Sequence, residues 1–222
     1  MRRAKKKFIE YNGGRVEITR RTMKNMILRV GPGGLLKVSC PFQVPDKAVL
    51  TFIDSRKSWI DGQDIPDPEP DFRDGTTIPY FGEKLYLNAV PGCGASVRDD
   101  CSLRVYVKNP ADPSQIEKKA KDYLREELKT YIELRLPLWE ERVGESCSEW
   151  NVREMRARWG SCHTDKQKLL FSLKLTAYPR ICTDLVIVHE LAHLVEANHS
   201  PRFYDVMDRA MPGWRTTNQL LK

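Results

Sequence analysis

Apolar positions along the chain follow two rhythms. Through roughly the first half they alternate with polar residues or gather in short runs, the habit of strands, and beyond it they recur every three or four residues, the habit of helices. Phe8 to Ile18, interrupted at Asn12-Gly13-Gly14, predicts a hairpin. Met26 to Val30 and Leu35 to Val38, either side of Gly31-Pro32-Gly33-Gly34, predict a second. Val49, Phe52, Ile53 and Ile60 suggest a short helix between Lys47 and Ile60, anchored by Trp59. Asp64 to Asp74, rich in Pro and Asp, reads as a loop, and Leu85 to Leu87 and Leu103 to Val107 as further strands. Turn residues Asn109-Pro110-Ala111-Asp112-Pro113 then mark a boundary, which makes residues 1–110 a β-rich N-terminal module.

From Gln115 to about Leu134 the residues Ile116, Ala120, Tyr123, Leu124, Leu128 and Tyr131 lie at helical spacing with charges elsewhere, a long amphipathic helix suited to core packing. Trp150 to Met155 and Leu169 to Leu175 read as strands joined by Arg156 to Gln167. Leu185, Val186, Val188 and Leu191 then mark a buried helix. The fold class is α+β, with the second domain over residues 111–222.

Composition changes this picture little. At 222 residues the chain suffices for one large or two small domains. No stretch approaches the roughly 18 apolar residues of a membrane span, and Met1-Arg2-Arg3-Ala4-Lys5-Lys6-Lys7 is not followed by the apolar run of a signal peptide. A soluble cytoplasmic protein without a membrane partner is expected. Cys40, Cys93, Cys101, Cys147, Cys162 and Cys182 form no C-x-x-C pair, which suits reduced thiols better than disulfides or a Cys zinc site. Net charge is +7, with 19 basic and 13 acidic side chains in residues 1–110 against 18 and 17 in residues 111–222. The basic N-terminal excess, notably Arg2, Arg3, Lys5, Lys6, Lys7, Arg20 and Arg21, would suit a nucleotide or nucleic acid, although basic termini are more commonly solubilising.

Chemistry concentrates between residues 189 and 199. His189-Glu190-Leu191-Ala192-His193 is an H-E-x-x-H motif, and it and His199 account for three of the four histidines. Helical residues four apart share a face, so His189 and His193 can offer nitrogens to one zinc ion, while Glu190 can take a proton from metal-bound water. Two residues compete to be the third ligand. Glu196 would share the histidine face if the helix continued, but it would stand about 10 Å along the axis from His189, too far for bonds near 2 Å. His199 is preferred, provided the helix stops after about Ala197 with Asn198 as a left-handed C-cap. Ser200-Pro201 then reads as N-cap and first residue of a new helix carrying Phe203, Val206 and Met207. His163 is left over as a surface or core residue.

These residues resemble the YgjP-like metallopeptidases, relatives of the SprT-like and WLM zinc proteases. The likeness rests on Arg158-Trp159-Gly160-Ser161-Cys162, then Val188-His189-Glu190-Leu191-Ala192-His193, Asn198-His199-Ser200-Pro201-Arg202-Phe203 and Pro212-Gly213-Trp214. The His spacing also matches metzincins, but Glu196 stands where they have Gly and no later Met-turn follows. The resemblance implies a minimal zincin-like helix and sheet catalytic domain, one Zn²⁺ on His189, His193 and His199, and Glu190 as the catalytic carboxylate. Arg158 is a possible substrate-binding residue, able to hold a carboxylate, phosphate or developing oxyanion, although Arg158 and Trp159 stacking beside a Gly160 turn would need no chemistry. Tyr204 is a weaker candidate, since its phenol could equally point into the core.

The primary expectation is a zinc-dependent hydrolase, a metallopeptidase acting on peptide or protein through metal-bound water activated by Glu190. A nucleotide phosphoanhydride hydrolase of the nucleoside triphosphate pyrophosphatase type is the alternative, without a Gly-rich phosphate loop to support it. A nucleic-acid-associated module with structural zinc is the third, opposed by the open coordination position.

Overall fold

A computed structural model describes residues 4–12, 14–62, 70–155 and 157–221. The chain divides into two compact units, 1–69 and 70–222. Its content of helix and strand is α+β, with an N-terminal sheet region ahead of the main helices.

In the first unit, β1 (Lys5–Tyr11) and β2 (Gly14–Arg20) form the hairpin foreseen at Asn12, with Gly13 outside the described residues. The second hairpin is β3 (Ile27–Val30) and β4 (Leu36–Cys40), and β2 pairs with β4 in parallel to give the order β1-β2-β4-β3. One face carries Val16, Ile18, Val38 and Cys40, buried on Val49 and Ile53 of α1 (Asp46–Asp54). The foreseen single helix is broken: α2 (Lys57–Asp61) follows separately and Trp59 is 43% exposed, so it anchors nothing.

Arg2 and Arg3 lie outside the described residues. Of the other basic residues, Lys6 pairs with Glu17 at 3.0 Å, and Lys7 and Arg20 converge on Asp46 at 2.6 and 2.5 Å. Lys5, Lys6 and Lys7 stand on an edge strand, where lysines discourage pairing with other chains. Much of the basic excess thus has a structural use.

The units part between Glu69 and Pro70. Residues 64–69 of the foreseen Asp64–Asp74 loop lie outside the described residues. The break expected at 110/111 instead falls inside the second unit, because the strands before it and the helix after it share one core. Those strands are β5 (Thr77–Tyr80), β6 (Glu83–Pro91), β7 (Val97–Asp99) and β8 (Ser102–Val107), in the order β5-β6-β8-β7. Alternate residues Leu85, Leu87, Ala89, Leu103, Val105 and Val107 are buried with Ile116, Ala120, Leu124 and Leu128 of α3 (Pro113–Val143). Asn109–Pro113 is a corner: Asp112 caps α3 by accepting from the Ser114 N–H at 3.0 Å.

α3 runs nine residues past Leu134, through Pro137, because Leu136, Trp139 and Val143 extend its buried stripe. A left-handed Gly144 ends it. A three-stranded sheet follows, β9 (Glu149–Arg153), β10 (Gly160–His163) and β11 (Lys168–Ser172), in the order β10-β11-β9. β11 is parallel to β9 and antiparallel to β10, so part of the expected Arg156 to Gln167 connection is itself a strand. Three helices close the chain: α4 (Arg180–Val195), α5 (Pro201–Ala210) and α6 (Trp214–Gln219).

Every residue of α4 from Cys182 to Val188 is buried, the mark of a helix enclosed by its neighbours. Asp184 fastens it to α3. Its carboxylate accepts from Tyr131 Oη at 3.0 Å, Trp139 Nε1 at 2.8 Å, and Arg135 Nε and Nη2 at 2.9 and 3.1 Å. Among the described residues no helix is long and apolar enough to cross a membrane.

Candidate metal centre

His189 and His193 sit one turn apart on the last turns of α4, and His199 comes from the loop beyond it. Nitrogens of all three lie within 4.8 Å of one another. The Nε2 atoms of His189 and His199 are 3.2 Å apart. Two nitrogens bound tetrahedrally to one zinc, each about 2.0–2.1 Å from it, would stand about 3.3–3.4 Å apart. The donor set and its spacing therefore fit zinc.

The protonation states fit as well. Burial, with His193 and His199 adding to it, pushes the His189 pKa down to about 4, and burial also lowers that of His193. Near neutral pH both rings keep the lone pairs a metal needs. His193 donates its Nδ1–H to the Glu196 carbonyl at 3.3 Å, which leaves Nε2 for the metal.

That carbonyl is available because the helix stops earlier than its sequence suggests. α4 ends at Val195, and Glu196 is extended at φ −146° and ψ 109°. Asn198 is not among the residues at positive φ, so it is no left-handed cap. Instead the Glu196 carboxylate accepts from the Asn198 N–H at 3.4 Å and shapes the loop that returns His199. Glu196 thus meets the histidines through its main chain, and its carboxylate is outside the converging set. Ser200 caps α5 by accepting from the Phe203 N–H at 3.4 Å.

Phe203, fully buried, lies 5.1, 4.8 and 4.7 Å by ring centroid from His189, His193 and His199. It is a common floor for the three rings, which an apolar position in a sequence does not announce. Tyr204 is 38% exposed and stacks toward His199, not into the core.

Glu190 is 5% exposed, and burial pushes its pKa up to about 8, with Arg158 opposing the shift. Gly160, at the start of β10, lies flat against this carboxyl. A Cβ there would stand 2.5 Å from Glu190 Oε1, 2.8 Å from Cγ and 2.9 Å from Cδ. Gly160 is needed for this close approach and not for a turn, since its φ is not positive. Cys162 on the same strand is partly buried, and its thiol is pushed up to about 11 by burial and by Glu190.

The family profile described as YgjP-like, metallopeptidase domain, matches residues 24–222. The chain belongs to the YgjP-like family. As a member of this metallopeptidase family it is a hydrolase that works with a metal cofactor. No curated protein matches it significantly. Among solved structures it is similar to the crystal structure of the metallopeptidase zymogen of Pyrococcus abyssi abylysin, at 18% identity and a TM-score of 0.36, over 39% of this chain and 86% of that one.

Of the family motifs, the structure gathers His189, His193 and His199 together, and brings Gly160 against Glu190, the residue that follows His189 on α4. Arg158 is exposed and close enough to Glu190 to act on its charge. Trp159 packs edge-on against Tyr178, with ring centroids 4.9 Å apart. His163, exposed at the end of β10, is not part of the group.

Proposed function

We propose that this protein is a zinc-dependent peptidase whose ion is held by His189, His193 and His199 and whose proton carrier is Glu190. The observation that carries this reading is the convergence of nitrogens of three histidines within 4.8 Å of one another, two of them on the helix that also carries the buried Glu190 carboxyl. When bound, zinc supplies Lewis acidity, making water more acidic and polarising a carbonyl. Glu190 moves the proton. As a carboxylate it would take a proton from the attacking water, and as the carboxylic acid so formed it would deliver that proton to the leaving amine. Phe203 and the Glu196 carbonyl hold the imidazoles in place meanwhile.

The substrate is a peptide or protein segment lying extended along β10. This strand is outermost in its sheet, and its first residue touches the Glu190 carboxyl, so a chain paired to that edge passes the proton carrier. Arg158, exposed near Glu190, would hold a substrate carboxylate or the oxygen on which negative charge grows. All six cysteines are free, which suits the reducing cytoplasm.

The test is zinc content followed by turnover of an unfolded protein and of a nucleoside triphosphate panel. One zinc per chain with peptide cleavage supports the reading. Phosphoanhydride hydrolysis without peptide cleavage would overturn the substrate, and absence of zinc binding would overturn the site.

A further inference from the structure

His199 differs from the other two histidines in its support. His189 and His193 ride on an enclosed helix, whereas His199 is exposed on a loop of a few residues. Phe203 meets one side of its ring at a centroid distance of 4.7 Å. Tyr204 stacks on it at 6.4 Å with the planes 26° apart, and Trp214 stacks on Tyr204 at 5.9 Å with the planes 6° apart. Trp214 is itself clamped. Its Nε1–H donates to Asp208 Oδ1 at 2.8 Å, the Arg215 guanidinium lies 4.6 Å over its ring, and Arg215 also pairs with Asp208.

The chain is turned to make this stack. Gly213, at φ 81°, takes the left-handed conformation ahead of α6, and the Trp214 N–H closes the turn onto the Met211 carbonyl at 3.1 Å. Burial does not explain the arrangement, since Tyr204 remains 38% exposed and Trp214 is only half-buried. The Pro212-Gly213-Trp214 motif has no part in moving the proton.

We propose that Trp214 is a positioning residue for the metal: through Tyr204 it holds the His199 imidazole ring at the orientation in which Nε2 faces His189. This rests on His199 being a ligand. Partners that orient a ligand commonly matter about 10–100-fold in metal affinity, and a loop-borne ligand has the most freedom to lose.

The experiment is competition of the full-length protein with a chelator for Zn²⁺, together with the visible absorption of bound Co²⁺ and thermal unfolding of the metal-free protein. Trp214→Ala and Tyr204→Ala should each bind zinc about 10–100-fold more weakly, with a changed Co²⁺ spectrum, while Trp214→Phe, which keeps a stacking ring but gives up the hydrogen bond to Asp208, should recover most of the affinity and stay within several-fold of the wild type. The double variant should be no weaker than Tyr204→Ala alone, because the two rings act in series. Asp208→Asn, which loosens the clamp and leaves the rings, should weaken zinc several-fold even if Trp214→Ala fails to fold. Folded variants with wild-type affinity and Co²⁺ spectrum would overturn the inference. If the wild type binds no zinc, or His199→Ala binds it normally, the ligand assignment falls and this inference with it.

Discussion

Gly160→Ala puts one methyl group where the structure has no room for it. The new carbon would meet Glu190 Oε1, Cγ and Cδ at 2.5, 2.8 and 2.9 Å, whereas ordinary contacts begin near 3.4 Å. Relief needs a shift of about 1 Å by the carboxyl or by the strand. Glu190 is enclosed on a helix packed on every side, so overpacking should cost about 1–3 kcal/mol. All three nearest atoms belong to Glu190, and this allows a double-mutant cycle that needs no substrate. In a Glu190→Ala background the same Gly160→Ala change should cost about 0.5 kcal/mol or less, since glycine is itself unfavourable within a strand. The coupling should then be about 1–2.5 kcal/mol. Urea unfolding of the metal-free proteins, followed by tryptophan fluorescence, reads it, because four of the five tryptophans fall in residues 70–222. Additivity within about 0.5 kcal/mol would refute the reasoning. In the metal-loaded enzyme Gly160→Ala should keep its zinc and lose about 100-fold in turnover, the effect of a 1 Å misplacement of a catalytic group.

Glu190→Gln should retain one zinc and lose about 100-fold or more of hydrolysis; full activity would end the proton-carrier reading. The same change should stabilise the metal-free protein in a pH-dependent way. With a pKa raised from 4.5 to about 8, the folded state holds a proton that the unfolded chain has released, so wild-type stability falls as pH rises between those values. The variant's advantage should be absent at pH 4.5 and about 3 kcal/mol at pH 7, as measured by thermal unfolding across pH. His199→Ala should lose zinc in chelator competition, whereas Glu196→Ala should keep most of it, because the carbonyl that orients His193 survives the substitution; the reverse result would exchange their roles. Asp184→Ala leaves Arg135, Tyr131 and Trp139 without their shared acceptor and should cost about 3 kcal/mol, read by urea unfolding.

Helix periodicity is the most readable signal in the chain, because i and i+4 positions are related by the helix itself and by nothing else. That is why α4, the pairing of His189 with His193, and the body of α3 can be drawn from spacing alone. Spacing ends α3 too early, near Leu134, because Pro137 interrupts it, while Trp139 and Val143, with Asp184 far along the chain, hold the helix together beyond that point. β10 escapes detection for a different reason. Gly160 to His163 has no alternation of its own and becomes a strand only by pairing with Lys168 to Phe171 of β11, a contact fixed by the tertiary fold. Gly160 is visible as a motif residue, but its purpose depends on Glu190, thirty positions later. The domain break is misplaced because turn-forming composition marks both a corner within a core and a gap between cores.

The family match starts at residue 24, yet the first unit's core starts earlier. β2 is an inner strand, pairing in parallel with β4 and supplying Val16 and Ile18 to the layer that covers α1. A shortened chain cut at the start of the match would keep α1 and β4 while losing the strand between β4 and the sheet edge. Val38, Cys40, Val49 and Ile53 would lose their cover, and β4 would offer an unpaired edge beside exposed apolar residues, the combination that drives chains to aggregate. The hairpin of residues 5–20 therefore sets where this protein can be cut for biochemical work, and that limit lies outside the segment by which its family is recognised.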